Sequence, residues 1–61
     1  MIKVVLVDDQ TLVRQGVKSL LSLAESIEVV AEASDGQHAI DLIPGIKPDV
    51  VLMDMRMPVK S

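Results

Sequence analysis

Val50-Val51-Leu52-Met53-Asp54-Met55-Arg56-Met57-Pro58 is an apolar run that stops at one aspartate and is closed by a proline four residues later. Apolar residues in such a run, bounded by turn signals, predict a fully buried strand with Asp54 at its C-terminal tip. A near-copy lies at the other end of the chain, Val4-Val5-Leu6-Val7-Asp8-Asp9. From Ile2 to Val7 only Lys3 is polar. That continuity is expected of a central parallel strand covered on both faces. Two strands that both run into carboxylates are the main clue to the chain.

Between them the period changes. Over Thr11 to Leu23, Leu12, Gly16 and Leu20 and also Val13, Val17 and Leu21 recur every four residues. Arg14, Gln15, Lys18, Ser19 and Ser22 lie between, so the segment predicts an amphipathic helix of about three turns. Asp9 or Thr11 is the expected cap. Gly16 inside the helix costs about 1 kcal/mol relative to Ala, which close packing on a sheet would offset. Ile27 to Ala33 alternates more, with Glu28 and Glu32 interrupting it, and reads as a strand nearer the sheet edge. Ser34-Asp35-Gly36-Gln37 fits a capping box with Ser34 as N-cap. A short helix follows with Ala39, Ile40, Leu42 and Ile43 as its inner side, and Pro44-Gly45 is expected to stop it. Asp49 leads into the last strand.

The pattern is β-α-β-α-β, which implies an α/β fold with a parallel sheet and right-handed crossovers. If the third strand lies beside the first, away from the second, the order is 2-1-3. The switch point is then beside the first strand, and Asp8, Asp9 and Asp54 converge at the carboxyl ends where such sheets bind ligands. The other order, 3-2-1, would hold Asp54 about 10 Å from the first pair, because adjacent strands are ~4.8 Å apart.

Composition narrows the classes. Sixty-one residues allow one domain at most. A chain of this size buries only about 60% of the surface its unfolded form exposes, so its stability is marginal. There is no Cys, so no disulfide or thiolate metal site reinforces it. No aromatic residue is present, which removes base-stacking platforms for single-stranded nucleic acid. A net charge of −3 argues against direct nucleic-acid binding, which wants a basic face. No apolar stretch approaches the roughly 18 residues of a membrane span. The start of the chain lacks the pattern of a signal peptide, so the cytoplasm is the expected location.

Three clustered carboxylates repel, and either a raised pKa or a bound cation relieves that repulsion. All-oxygen ligands favour Mg²⁺, Mn²⁺ or Ca²⁺. Magnesium keeps several waters and takes one or two carboxylates plus phosphate oxygens. A partly open site of this kind beside an exposed carboxylate suits phosphoryl transfer to that carboxylate. No Walker loop or GxGxxG is present. An aspartate-nucleophile phosphatase is disfavoured, because the position two after Asp54 is Arg56 rather than an acid. Met53, Met55 and Met57 alternate, but Met53 belongs to the strand and no Cys or His stands near to complete a Cu(I) site. His38 reads as an exposed helix residue, and Arg14, Lys18 and Lys47 as ordinary solvated surface.

The acidic pair Asp8-Asp9 together with Leu52-Met53-Asp54-Met55-Arg56-Met57-Pro58 resembles the receiver domain of two-component response regulators. Leu12-Val13-Arg14-Gln15-Gly16 and Val29-Val30-Ala31-Glu32-Ala33-Ser34-Asp35-Gly36 resemble the subgroup of transcriptional regulators with a LuxR/NarL-type helix-turn-helix. The resemblance covers the whole chain. It implies a doubly wound, flavodoxin-like sheet and Asp54 as phosphoacceptor. Asp9 and Asp54 would bind Mg²⁺ directly with the Arg56 backbone carbonyl, and Asp8 mainly through metal-bound water. The phosphodonor would be a sensor histidine kinase. Such a module is not an enzyme beyond its magnesium-dependent self-phosphorylation and dephosphorylation.

Receivers of this family have five strands and about twice this length, so residues 1–61 correspond to the N-terminal half. The later hydroxyl residue and lysine that hold the phosphoryl group, the switch aromatic and the output face fall outside it. DNA binding would belong to a C-terminal domain of the parent protein. The alternative function is a non-phosphorylated association module. In it the last strand, as a bare sheet edge, pairs with a second copy to form a homodimer or packs on a partner.

Overall fold

A computed structural model of the chain describes residues 1–53. Three strands and two helices alternate: β1 (Ile2–Val7), α1 (Thr11–Leu21), β2 (Ile27–Ala33), α2 (Gly36–Ile46) and β3 (Val50–Met53). The sheet is parallel and ordered β2-β1-β3. This is the 2-1-3 order of the flavodoxin-like receiver fold, with β1 central and β2 at an edge.

β1 is the core. Val4, Val5, Leu6 and Val7 are all buried. Residues paired across strands share a face, and successive residues alternate faces. Val5 and Val7 lie on the face covered by α2, where they cluster with Ala33 and Ala39 against Leu42, Ile43 and Ile46. Val4 and Leu6 therefore lie on the opposite face, which α1 covers. An apolar residue at every position from Val4 to Val7 follows from this double cover.

β3 departs from the expected burial. Val50 to Met53 are each 37–41% exposed, because among the described residues β3 pairs with β1 alone and forms the second edge. Its register is set at the start: the Asp49 amide donates to the Lys3 carbonyl at 2.8 Å, and Asp49 Oδ2 accepts from the Lys3 amide at 2.8 Å.

The helices correct several further expectations. α1 ends at Leu21, and its N-cap is Gln10 with no side-chain cap bond, rather than Asp9 or Thr11. Only Val17 and Leu21 of its apolar residues are half-buried; Leu12 and Leu20 stand 88% and 69% exposed. Gly16 has nothing within 4 Å of the place a Cβ would take, so no close approach to the sheet accounts for it. α2 is capped by Asp35, not Ser34: its carboxylate accepts from the His38 amide at 2.8 Å. Gln37, expected to close a capping box, instead donates to Asp41 at 3.2 Å, one turn on. α2 also runs through Pro44 and Gly45 to Ile46. Proline removes one helical hydrogen bond and crowds the preceding turn, but Ile43 and Ile46 pack on the core cluster and hold the last turn. The helix ends at Lys47, which is left-handed at φ 53° and donates its amide to the Ile43 carbonyl. Ile40, assigned to the inner side, is 54% exposed.

Candidate functional site at the carboxyl end of the sheet

The carboxyl ends of the strands align in register. Val7 pairs with Ala33 on one side and with Met53 on the other. Asp8 follows Val7 in sequence, and Asp54 follows Met53. Asp8 is half-buried and Asp9 exposed. Asp54, Arg56 and the Met55 and Met57 thioethers lie outside the described residues. So the structure brings the acidic pair to the switch point, as expected, and describes no third carboxylate there. Among the described residues no group of three or more His, Cys, Asp or Glu side chains is arranged to hold a metal.

Asp8 is anchored from three sides. Its amide donates to the Ala33 carbonyl of β2 at 3.1 Å. Its Oδ1 accepts from the Gln10 amide at 2.8 Å, an Asx-type turn that steers the chain into α1. Its carbonyl accepts from Arg14 Nη1 at 2.6 Å. One carboxylate oxygen of Asp8 and both of Asp9 make no hydrogen bond among the described residues. A largely apolar cavity of about 280 Å³ opens alongside, between α1 and the β1–β3 pair, with Asp8 and Arg14 as its polar lining and Leu6, Val17, Leu52 and Met53 among its walls.

Arg14 and Lys18 are not an ordinary solvated surface. Arg14 Nε donates to Glu32 Oε1 at 3.0 Å, and Lys18 Nζ meets Glu32 Oε2 at 2.9 Å. The Arg14 side chain is only 16% exposed, against 46% for Lys18. The half of this constellation on α1 was visible in the sequence: Arg14 and Lys18 are four apart and share a helix face. Glu32 was hidden by a β-bulge. Val4 pairs with Val29, but Val5 pairs with Ala31, so Val30 is an extra residue in β2. A one-residue shift exchanges the faces of everything after it. Glu32 thereby lies opposite Leu6, on the α1 face, and Ala33 lies opposite Val7, in the core.

The two cations hold the Glu32 carboxyl below its ordinary value. The Lys18 hydrogen bond is the largest cause; partial burial opposes it and Arg14 assists. A carboxyl whose folded-state pKa is depressed contributes stability above the unfolded value, and this is lost as pH falls through the lower folded value. The expected result is that Glu32→Gln lowers the melting temperature at pH 7 by an amount that fades as the pH is taken down through the depressed Glu32 titration. The contribution is on the order of 1 kcal/mol, since both pairs remain partly in water. A Glu32→Gln deficit that is the same at pH 7 and below that titration removes the ion pairs as its cause.

The family match agrees with this geometry. The profile of the Response regulator receiver domain matches residues 4–61, and the chain belongs to that family. It is 49% identical over 61 residues to the transcriptional regulatory protein LnrK of Bacillus subtilis (strain 168), covering 100% of this chain and 28% of LnrK. The solved signal receiver domain of the putative response regulator NarL from Mycobacterium tuberculosis superposes with a TM-score of 0.87 at 51% identity, over 93% of this chain and 46% of that one. RcsB from Salmonella enterica serovar Typhimurium, bound to promoter rprA in the presence of phosphomimetic BeF3-, superposes with a TM-score of 0.88 at 30% identity, over 93% of this chain and 28% of that one. The chain thus spans under half the length of each of these relatives. No helix among the described residues is long and apolar enough to cross a membrane.

Proposed function

We propose that residues 1–61 are the N-terminal half of a receiver that accepts a phosphoryl group on Asp54 from a sensor histidine kinase. The observation that carries this reading is the register of β1 with β3: Val7 and Met53 are partners, and each is followed in sequence by an acid of the family's motif. The donor set also fits magnesium. Asp8 and Asp9 offer carboxylate oxygens with no cationic side chain paired to them among the described residues, and magnesium takes one or two such ligands.

In this reading Asp9, Asp54 and the Arg56 carbonyl would hold Mg²⁺, and Asp8 would act mainly through a metal-bound water. The ion supplies charge neutralisation on the phosphoryl oxygens. A carboxylate oxygen of Asp54 attacks phosphorus. The P–N bond of the kinase phospho-histidine breaks, its electron pair returns to the imidazole, and an acyl phosphate results. The chain is a phosphoacceptor, not an enzyme acting on a free substrate. It works in the cytoplasm, and DNA contact would belong to an output domain elsewhere in the protein; the relative RcsB is a promoter-bound regulator.

The test is incubation with Mg²⁺ and acetyl phosphate, read by intact mass. The expected result is a gain of one phosphoryl group that is lost on omitting Mg²⁺ and in Asp54→Asn. No gain in the full-length parent protein overturns the reading. A gain in the parent but not in residues 1–61 alone shows that the second half of the site is required.

A further inference from the structure

We propose that the bulge at Val30, Glu32 and Arg14 form a positioning device for the acidic tip of β1, with Arg14 as the residue that transmits it to Asp9. The proposal rests on the reading of Asp8 and Asp9 as magnesium ligands given under Proposed function. The bulge turns Glu32 onto the α1 face. Glu32 accepts from Arg14 Nε, and the same guanidinium donates from Nη1 to the Asp8 carbonyl. Two donors of one planar group, pointing at two different acceptors, fix its orientation in a way a point-like ammonium does not.

The Asp8 carbonyl and the Asp9 amide belong to one planar peptide unit. Holding that carbonyl therefore fixes the plane from which the Asp9 backbone continues. The Asp8 amide is held independently by Ala33, the residue next to Glu32. The end of β2 thus grips the tip of β1 twice, once directly and once through Arg14. Lys18 also binds Glu32 but makes no hydrogen bond or ion pair with Asp8 among the described residues, and it serves as the internal control. Bulges are over-represented beside active sites, where they re-aim a side chain; here the side chain re-aimed is Glu32.

The experiment compares the parent chain, Arg14→Lys and Lys18→Met by amide NMR, first without metal and then in a Mg²⁺ titration, with melting temperatures recorded for each. Arg14→Lys keeps a cation for Glu32 but not the two-acceptor fork. It is expected to shift the metal-free Asp9 amide resonance and to weaken Mg²⁺ binding about tenfold, the lower end of the range for groups that orient metal ligands. Lys18→Met is expected to leave both unchanged while still lowering the melting temperature. Parent-like Mg²⁺ affinity in Arg14→Lys, or an equal loss in Lys18→Met, overturns the proposal. If the parent binds no Mg²⁺, the magnesium reading itself fails. The metal-free Asp9 resonance then decides the positioning claim: no shift in Arg14→Lys overturns it.

Discussion

Val5→Asp is expected to abolish the folded state. Val5 is 0% exposed and stands in the central strand, between β2 and β3 and under α2. An aspartate there brings a carboxylate into a site whose neighbours are Val7, Ala33 and Ala39, none of which can pair with it. The effective cost of an unpaired buried charge is several kcal/mol. A domain of this length has a total stability of only about 3–9 kcal/mol at the usual yield per residue. The two are comparable, so the substitution removes most or all of the native population. Val5→Ala deletes two methyl carbons and is expected to cost about 2 kcal/mol including the cavity. Val50→Asp, on a residue already 40% exposed, is expected to keep the native signal. Far-UV circular dichroism and the melting curve read all three. A native spectrum in Val5→Asp contradicts the assignment of β1 as the doubly covered strand.

That assignment was legible because β1 is constrained on both faces at once. Every residue from Val4 to Val7 must be apolar under that double cover; the similar run Val50 to Met53 carried the same expectation and proved to be an exposed edge. The 2-1-3 order was open on periodicity alone. It followed from the match of the Asp8-Asp9 and Asp54 segments to the family, and the sheet has it. Other features were not legible, for local reasons. Ser34 and Asp35 are both good N-caps, and the choice depends on which carboxylate or hydroxyl reaches the His38 amide. Pro44 is a helix breaker by propensity, but the core contacts of Ile43 and Ile46 override it. The bulge at Val30 leaves no mark in a row of small and β-branched residues. Because it is invisible, so is the face on which Glu32 lies, and with it the link from β2 to the acidic tip. The position of Asp8 and Asp9 at the carboxyl end of β1 was therefore readable from residue types, and the means of holding them was not.

The last expected result concerns the two edges of the sheet, which differ. β2 carries the exposed Glu28 and the ion-paired Glu32, and charges discourage pairing at an edge. β3 carries Val50, Val51, Leu52 and Met53 with no charge and about two-fifths exposure each. An apolar strand that pairs on one side only among the described residues is the template on which a further strand adds. In a protein as long as the relatives above, residues beyond this segment are available to cover that edge. In the 61-residue polypeptide alone, the strand at hand is β3 of a second copy. Its unfolding midpoint is therefore expected to rise with protein concentration, since dimerisation stabilises by mass action. Sedimentation at the same concentrations is expected to show association. Leu52→Lys, at a position 41% exposed, places a charge on the edge and is expected to suppress both effects while leaving the β1–β2 core intact. A cooperative transition of a monomer that does not move with concentration sinks this account. It would mean that three strands and two helices, with only six fully buried apolar side chains among the described residues, hold together without a neighbour at β3.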